Sequence, residues 1–252
     1  MKNFIENRPF WFALSLTVVM TILGLAVFIV GGELIGLPEI PLVFTVLLLS
    51  TVIPLGFIGW LGWWEDAGFV TTTQNVFALT VPVIGIFFPL IYFGTVENEP
   101  PIVIFFIAAF FLTGLSEEAL SRGLFVRVFL PHGRWQAVLI PAVLFGVGHI
   151  AQSLGPEMAL QDNLVQIANA LISGILVGAV RLRVNNIWPL IILHTLEDLF
   201  FGLSGFAGPN AIYGLADIPL SFFLILWVLS LVASVYIMNR PLAATIDGKP
   251  VG

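Results

Sequence analysis

Eight times along the chain, apolar residues run for roughly the length a helix needs to cross about 30 Å of hydrocarbon. The stretches cover roughly 10–30, 42–62, 76–95, 101–120, 135–151, 163–180, 187–203 and 219–238. Runs of this length and apolar character are expected to be helices. A composition of 59% hydrophobic and 10% charged residues places the chain outside soluble globular proteins. The expectation is an all-α, polytopic membrane bundle of about eight transmembrane helices. The first stretch follows "MKNFIENRP" and is too long, with no small-residue cleavage site behind it, for a removable signal peptide, so it is expected to be a retained helix.

Charge gives the bundle a direction. Eight spans with a cytoplasmic N-terminus place Lys2, Arg8, Arg122, Arg127, Arg134, Arg181, Arg183, Arg240 and Lys249 inside, which is all nine Lys and Arg. The loops left outside carry Glu33, Glu39, Glu97, Glu99, Glu157 and Asp217 and no base. Both termini are therefore expected in the cytoplasm. Zero cysteines excludes disulfides, thiolate catalysis and cysteine-held metals. No basic run points to nucleic acid. There is no internal repeat or long linker, and "TVENEPP" (95–101) and "FAGPNAIYG" (206–214) are turn-rich loops, so residues 1–252 form one expected domain.

Ionisable residues within spanning segments are costly and mark function or pairing. Three places hold them: "SEEALSR" with Glu117, Glu118 and Arg122; "FGVGH" with Phe145 and His149; and "LHTLEDLF" with His194, Glu197 and Asp198. If the fourth helix runs to about Leu130 and turns at "PHG" (131–133), Glu117 lies about 22 Å and His149 about 26 Å from the turn, at nearly one level. Adjacent glutamates diverge by about 100° on a helix, so they are not expected to address one partner. Glu118 pairs with Arg122 four residues on, leaving Glu117 the freer carboxylate. His194 and Asp198 share a face. Taken singly, the Glu–Arg pair is equally an anchor, His149 a core histidine and "HTLED" an interhelical clamp; on three converging helices they suggest a site. His132, in the turn, belongs to solvent. Gly174 and Gly178 are spaced for close helix packing.

In this order the clusters resemble the CPBP family of intramembrane proteases, the CAAX prenyl protease and bacteriocin-processing group also called Abi proteins. Its signature of EExxxR, FxxxH and HxxxN or HxxxD is matched by "EEALSR", "FGVGH" and "HTLED". The resemblance covers residues 117–198, inside an expected catalytic core at about 101–203. It implies an endopeptidase acting on membrane-associated peptides or proteins, in a prokaryotic plasma membrane, with the bilayer itself as the other partner. Catalytic roles fall to Glu117, Glu118, His149, His194 and Asp198, with Arg122 and Phe145 in support. Glu117 would be the general base on water, assisted by His149, while His194 and residue 198 stabilise the oxyanion. Asp198 stands where asparagine is commoner; an ionised carboxylate only accepts hydrogen bonds, so it must be protonated to help directly or else pair with a charged His194. The resemblance implies no cofactor. Zinc held by Glu117, His149, His194 and Asp198 is the second choice, without an HExxH helix to favour it. Two other classes remain: a secondary transporter, which usually shows repeated halves not seen here, and a non-catalytic immunity or scaffold protein. Nothing in the sequence sets the oligomeric state.

Overall fold

The computed structural model describes residues 2–150, 160–204, 218–246 and 249–250. Glu157, Asp217 and the 206–214 loop lie outside the described residues. Each of the eight apolar stretches forms helix. They are α1 (Pro9–Leu34), α2 (Glu39–Leu61), α3 (Val76–Phe93), α4 (Pro100–His132), α5 (Arg134–Gly148), α6 (Leu160–Val184), α7 (Trp188–Leu203) and α8 (Leu220–Met238). A short helix, Lys2–Asn7, precedes them.

Six of the eight are long and apolar enough to cross a membrane. The other two, α5 and α7, have 15 and 16 residues and reach only about 22–24 Å at 1.5 Å per residue. The expected count of eight crossings is therefore reduced to six helices that could span unaided. The two short helices are those that carry His149 and His194. Val52, Phe77, Ile91, Ile104 and Val232 are each more than 55% exposed on the outer helices, a surface that suits lipid and not water. The chain is an integral membrane protein.

Burial concentrates at one end of the bundle. The last third of α4 is enclosed, with Leu124, Phe125, Val128, Phe129 and Leu130 packed against Ala137, Val138 and Ala142 of α5 and Ala179, Val180 and Leu182 of α6. Small residues bring α5 and α6 close. A methyl group built on Gly174 would lie 3.2 Å from the Ala142 Cβ, one on Gly178 3.3 Å from Val138, and one on Gly146 3.0 Å from Leu171. The GxxxG spacing is thus a packing seam.

Two features of α4 matter for the site. It opens on Pro100 and Pro101, which suit a first turn because the N–H groups they lack have no helical partner there. Residues Ala119–Phe125 then widen into a π-helical turn directly after Glu118, and the chain turns at Leu130–His132, leaving His132 exposed. Such turns are uncommon and frequent at functional sites.

The segment 62–75 closes the same end. Arg127 of α4 donates from Nε to Asp66 at 2.7 Å and lies 4.3 Å from the centre of the Trp63 ring. Arg181 of α6 donates to the Asp66 carbonyl at 3.0 Å. Gly68, at φ +87°, passes so near the Arg181 guanidinium that a Cβ there would sit 2.4 Å from it. The turn between α6 and α7 is held by the same segment: Ile187 N donates to Gly68 O at 3.0 Å, Asn186 to Thr71 O at 2.7 Å and Trp188 Nε1 to Phe69 O at 3.1 Å. Asn186 also accepts from Trp188 N, the first N–H of α7, through its side-chain oxygen. The start of α7, and with it His194, is set by these contacts. Beyond α8, the N–H groups of Ala243 and Ala244 both reach Leu182 O, and Thr245–Ile246 pairs with Lys249–Pro250 in a two-residue ladder.

Candidate active site

Gly114 allows α4 and α7 to touch. A Cβ there would come within 2.9 Å of Thr195 Oγ1 and 3.1 Å of Ile191 O, so only glycine permits this approach. About one turn further along α4, the helix pair places His194 against both glutamates. Its Nδ1 lies 2.9 Å from Glu118 Oε1, and its Nε2 lies 3.4 Å from Glu117 Oε2 and 3.7 Å from Asp198 Oδ2.

The expectation that adjacent glutamates cannot address one partner is corrected by this geometry. An imidazole has two nitrogens on different edges, and a ring lying between the diverging carboxylates meets one with each. With carboxylates at both edges, the ring has a donor for each only as imidazolium.

Glu118 is the hub. It is 1% exposed, and its Oε1 lies 3.2 Å from Arg122 Nη1 as well as against His194. Arg122, also buried, is in charge contact with Glu118 but not aligned as a hydrogen-bond donor through Nη1. The guanidinium instead lies 4.5 Å from the centre of the Phe145 ring, a cation–π contact, and Gly174 leaves space beside it. Glu117 and Asp198 are more open, with side chains 32% and 28% exposed.

Phe145 and His149 come from the last turn of α5. The Phe145 ring is edge-on to His149 at 5.0 Å and to His194 at 6.5 Å, so it separates the two imidazoles. His149 Nδ1 is 2.9 Å from Phe145 O; a carbonyl oxygen only accepts, so Nδ1 carries the hydrogen. Glu117 and His149 were expected to meet, but no polar contact joins them among the described residues. The imidazole that Glu117 faces is His194.

Glu117, Glu118, Arg122, Phe145, His194 and Asp198 are thus brought into one cluster, with His149 attached through Phe145. Among the described residues no three His, Asp or Glu side chains are disposed to hold a metal ion. Sequence reasoning passed over Asn163 near the start of α6, which is 1% exposed and donates from Nδ2 to His149 O at 3.0 Å. The signal was available in "LQDNLVQ", where Asn163 is the short amide among three, beside leucines that turn outward.

Residues 99–200 match the family model described as Rce1-like, type II CAAX prenyl endopeptidase Rce1-like. That segment holds all three motifs, so the family resemblance drawn from them and the match fall on the same residues. Neither the curated proteins nor the solved structures contain a match.

Proposed function

We propose that the chain is an intramembrane endopeptidase that hydrolyses peptide bonds of membrane-associated peptides or proteins, with Glu117 as general base on water. The observation that carries this reading is the division of labour around His194. Glu118 is buried and committed to His194 Nδ1 and Arg122, whereas Glu117 is partly open and faces Nε2. One carboxylate orients and the other is free to accept a proton.

In the proposed reaction, water attacks the scissile carbonyl carbon as its proton passes to Glu117. A C–O bond forms and the carbonyl electron pair moves to oxygen. As Glu117 takes up the water proton it gives up His194 Nε2–H, which turns to donate to the oxyanion, where a donor in a site shielded from water is worth most. Glu118 holds the ring from the opposite nitrogen, and Asp198 pairs with its charge. Collapse of the oxyanion breaks the C–N bond, and the proton on Glu117 passes to the leaving amine. His149, with hydrogen on Nδ1, has Nε2 to offer to the water or the amine.

The reading covers substrates of the CAAX type as well as unprenylated leader peptides and membrane-bound fragments. The reading puts the protein in a prokaryotic plasma membrane; for eight crossings, the segregation of all nine Lys and Arg supports cytoplasmic termini. Purified protein in detergent, given quenched fluorogenic peptides with and without a farnesylated CAAX terminus, tests the proposal. Cleavage by wild type and none by Glu117→Ala is expected; cleavage by both would remove Glu117 from the chemistry. Binding without cleavage would favour the scaffold reading.

A further inference from the structure

We infer that Asn163 is a positioning residue that fixes the ring orientation of His149, an inference resting on the proposed catalytic role of His149. The last four carbonyls of an α-helix have no partner within it. His149 caps α5, and its carbonyl accepts from Asn163 Nδ2 at 3.0 Å across the α5–α6 seam. The His149 ring is meanwhile tied to the helix that carries it, through Nδ1 and the Phe145 carbonyl at 2.9 Å. Backbone and ring are thus gripped separately. Asn163 holds the peptide on which the side chain is mounted, and Phe145 O holds the ring.

The bond to Phe145 O selects the tautomer, and the bond from Asn163 holds the peptide that keeps the ring within its reach. With the hydrogen on Nδ1, the neutral ring leaves Nε2 as its only acceptor, the form a proton-accepting assistant needs. Asn163 is suited to the task because it is enclosed. It is 1% exposed, whereas its neighbours Leu160 and Leu164 are 67% and 57% exposed. A buried amide in an apolar helix is costly unless it is hydrogen-bonded, and here one of its bonds goes to the backbone of His149, the histidine that Glu118 does not hold. Without that donor the end of α5 can fray and the ring can turn from the Phe145 carbonyl.

The test uses the full chain in detergent micelles, labelled with 15N-histidine. There are three histidines, and single His→Gln variants assign their signals. Wild type is expected to show His149 as a single tautomer with hydrogen on Nδ1. In Asn163→Asp, which keeps the shape and loses the amide donor, and in Asn163→Ala, the signal is expected to move toward mixed tautomers. Asn169→Ala, which removes only an α6 contact to Trp227 on α8, is expected to leave it unchanged. Turnover of a quenched fluorogenic peptide should fall about tenfold in both Asn163 variants, in kcat rather than KM, as expected for loss of roughly one hydrogen bond in the transition state. An unchanged His149 signal in folded Asn163 variants overturns the inference. If His149→Ala keeps the wild-type rate, the catalytic role given to His149 is wrong, while the tautomer measurement still decides whether Asn163 sets the ring.

Discussion

Glu118→Gln separates the two adjacent carboxylates most sharply. Glu118 is 1% exposed, with His194 Nδ1 at 2.9 Å and Arg122 Nη1 at 3.2 Å on the same oxygen. Removing one partner of a buried ion pair costs about 3–5 kcal/mol, because the other charge stays behind. The amide preserves volume and can still accept from His194, retaining about 1 kcal/mol as a neutral hydrogen bond. The net loss is then about 3 kcal/mol, and at about 2–4 °C per kcal/mol for a chain of this size the melting midpoint should fall by about 6–12 °C. Turnover should fall as well, by up to about 150-fold if the whole loss is felt in the transition state. Glu117→Gln should do the reverse, since Glu117 is partly open and has no close arginine. Its midpoint should stay near wild type, while turnover drops by about 10²–10⁴-fold, the range for a general base. The assays are thermal unfolding in detergent and single-turnover cleavage of the fluorogenic peptide. A Glu118→Gln protein that melts and cleaves like wild type would refute the assignment, as would a Glu117→Gln protein that is the less stable of the two.

Asp198→Asn should lower turnover by about tenfold at every pH, because it removes a charge 3.7 Å from the His194 imidazolium; activity that instead persists and extends to higher pH would mean that Asp198 acts as a neutral donor. Exhaustive chelation should leave cleavage unaffected, and activity lost on chelation and restored by zinc would establish the metal mechanism. Asp66→Ala leaves the buried Arg127 with only Glu6 at 3.8 Å and the Trp63 ring as partners, and should cost about 2–3 kcal/mol of stability, so a melting midpoint equal to wild type would show the pair to be neutral. Single cysteines introduced near Lys2 and Lys249 meet no native thiol background; both should resist membrane-impermeant maleimide in intact cells, and labelling of either reverses the orientation.

The helices were legible because lipid leaves so few choices. Each stretch long enough to cross it became helical, with ends within a few residues of those expected except in α4, which runs on to His132 as the "PHG" turn implied. Length was the weaker signal for α5, whose apolar run reads on to 151 past the helix end at Gly148, whereas the run 187–203 already stopped at Leu203. Within the site, the Glu118–Arg122 pair followed from four-residue spacing, and Gly174 and Gly178 from the small-residue rule. What spacing could not give was the partner of each carboxylate. Helical wheels locate a side chain on its own helix, whereas the choice of His194 over His149 for Glu117 depends on how closely Gly114 lets α7 approach. The Asp66–Arg127 pair was invisible for a related reason: 61 residues separate its members, and an acid in "WWEDAGF" looks like any solvated loop residue.

The wide turn at Ala119–Phe125 makes α4 a helix of two phases. At about 100° per residue, the nine positions from Glu118 to Arg127 amount to two and a half turns, which would set the two side chains on opposite faces. A π turn accommodates roughly one extra residue, a slip of about 100°, so Glu118 can address α7 while Arg127 addresses the Trp63–Asp66 segment. The helix behaves as a crankshaft, with its two throws set by a single surplus residue. Substitutions along 119–125 change contacts one at a time. Deleting any one residue there re-phases the shaft, so that one throw must abandon its partner, and the sequence on either side of the turn is free to vary only in ways that keep the offset between them.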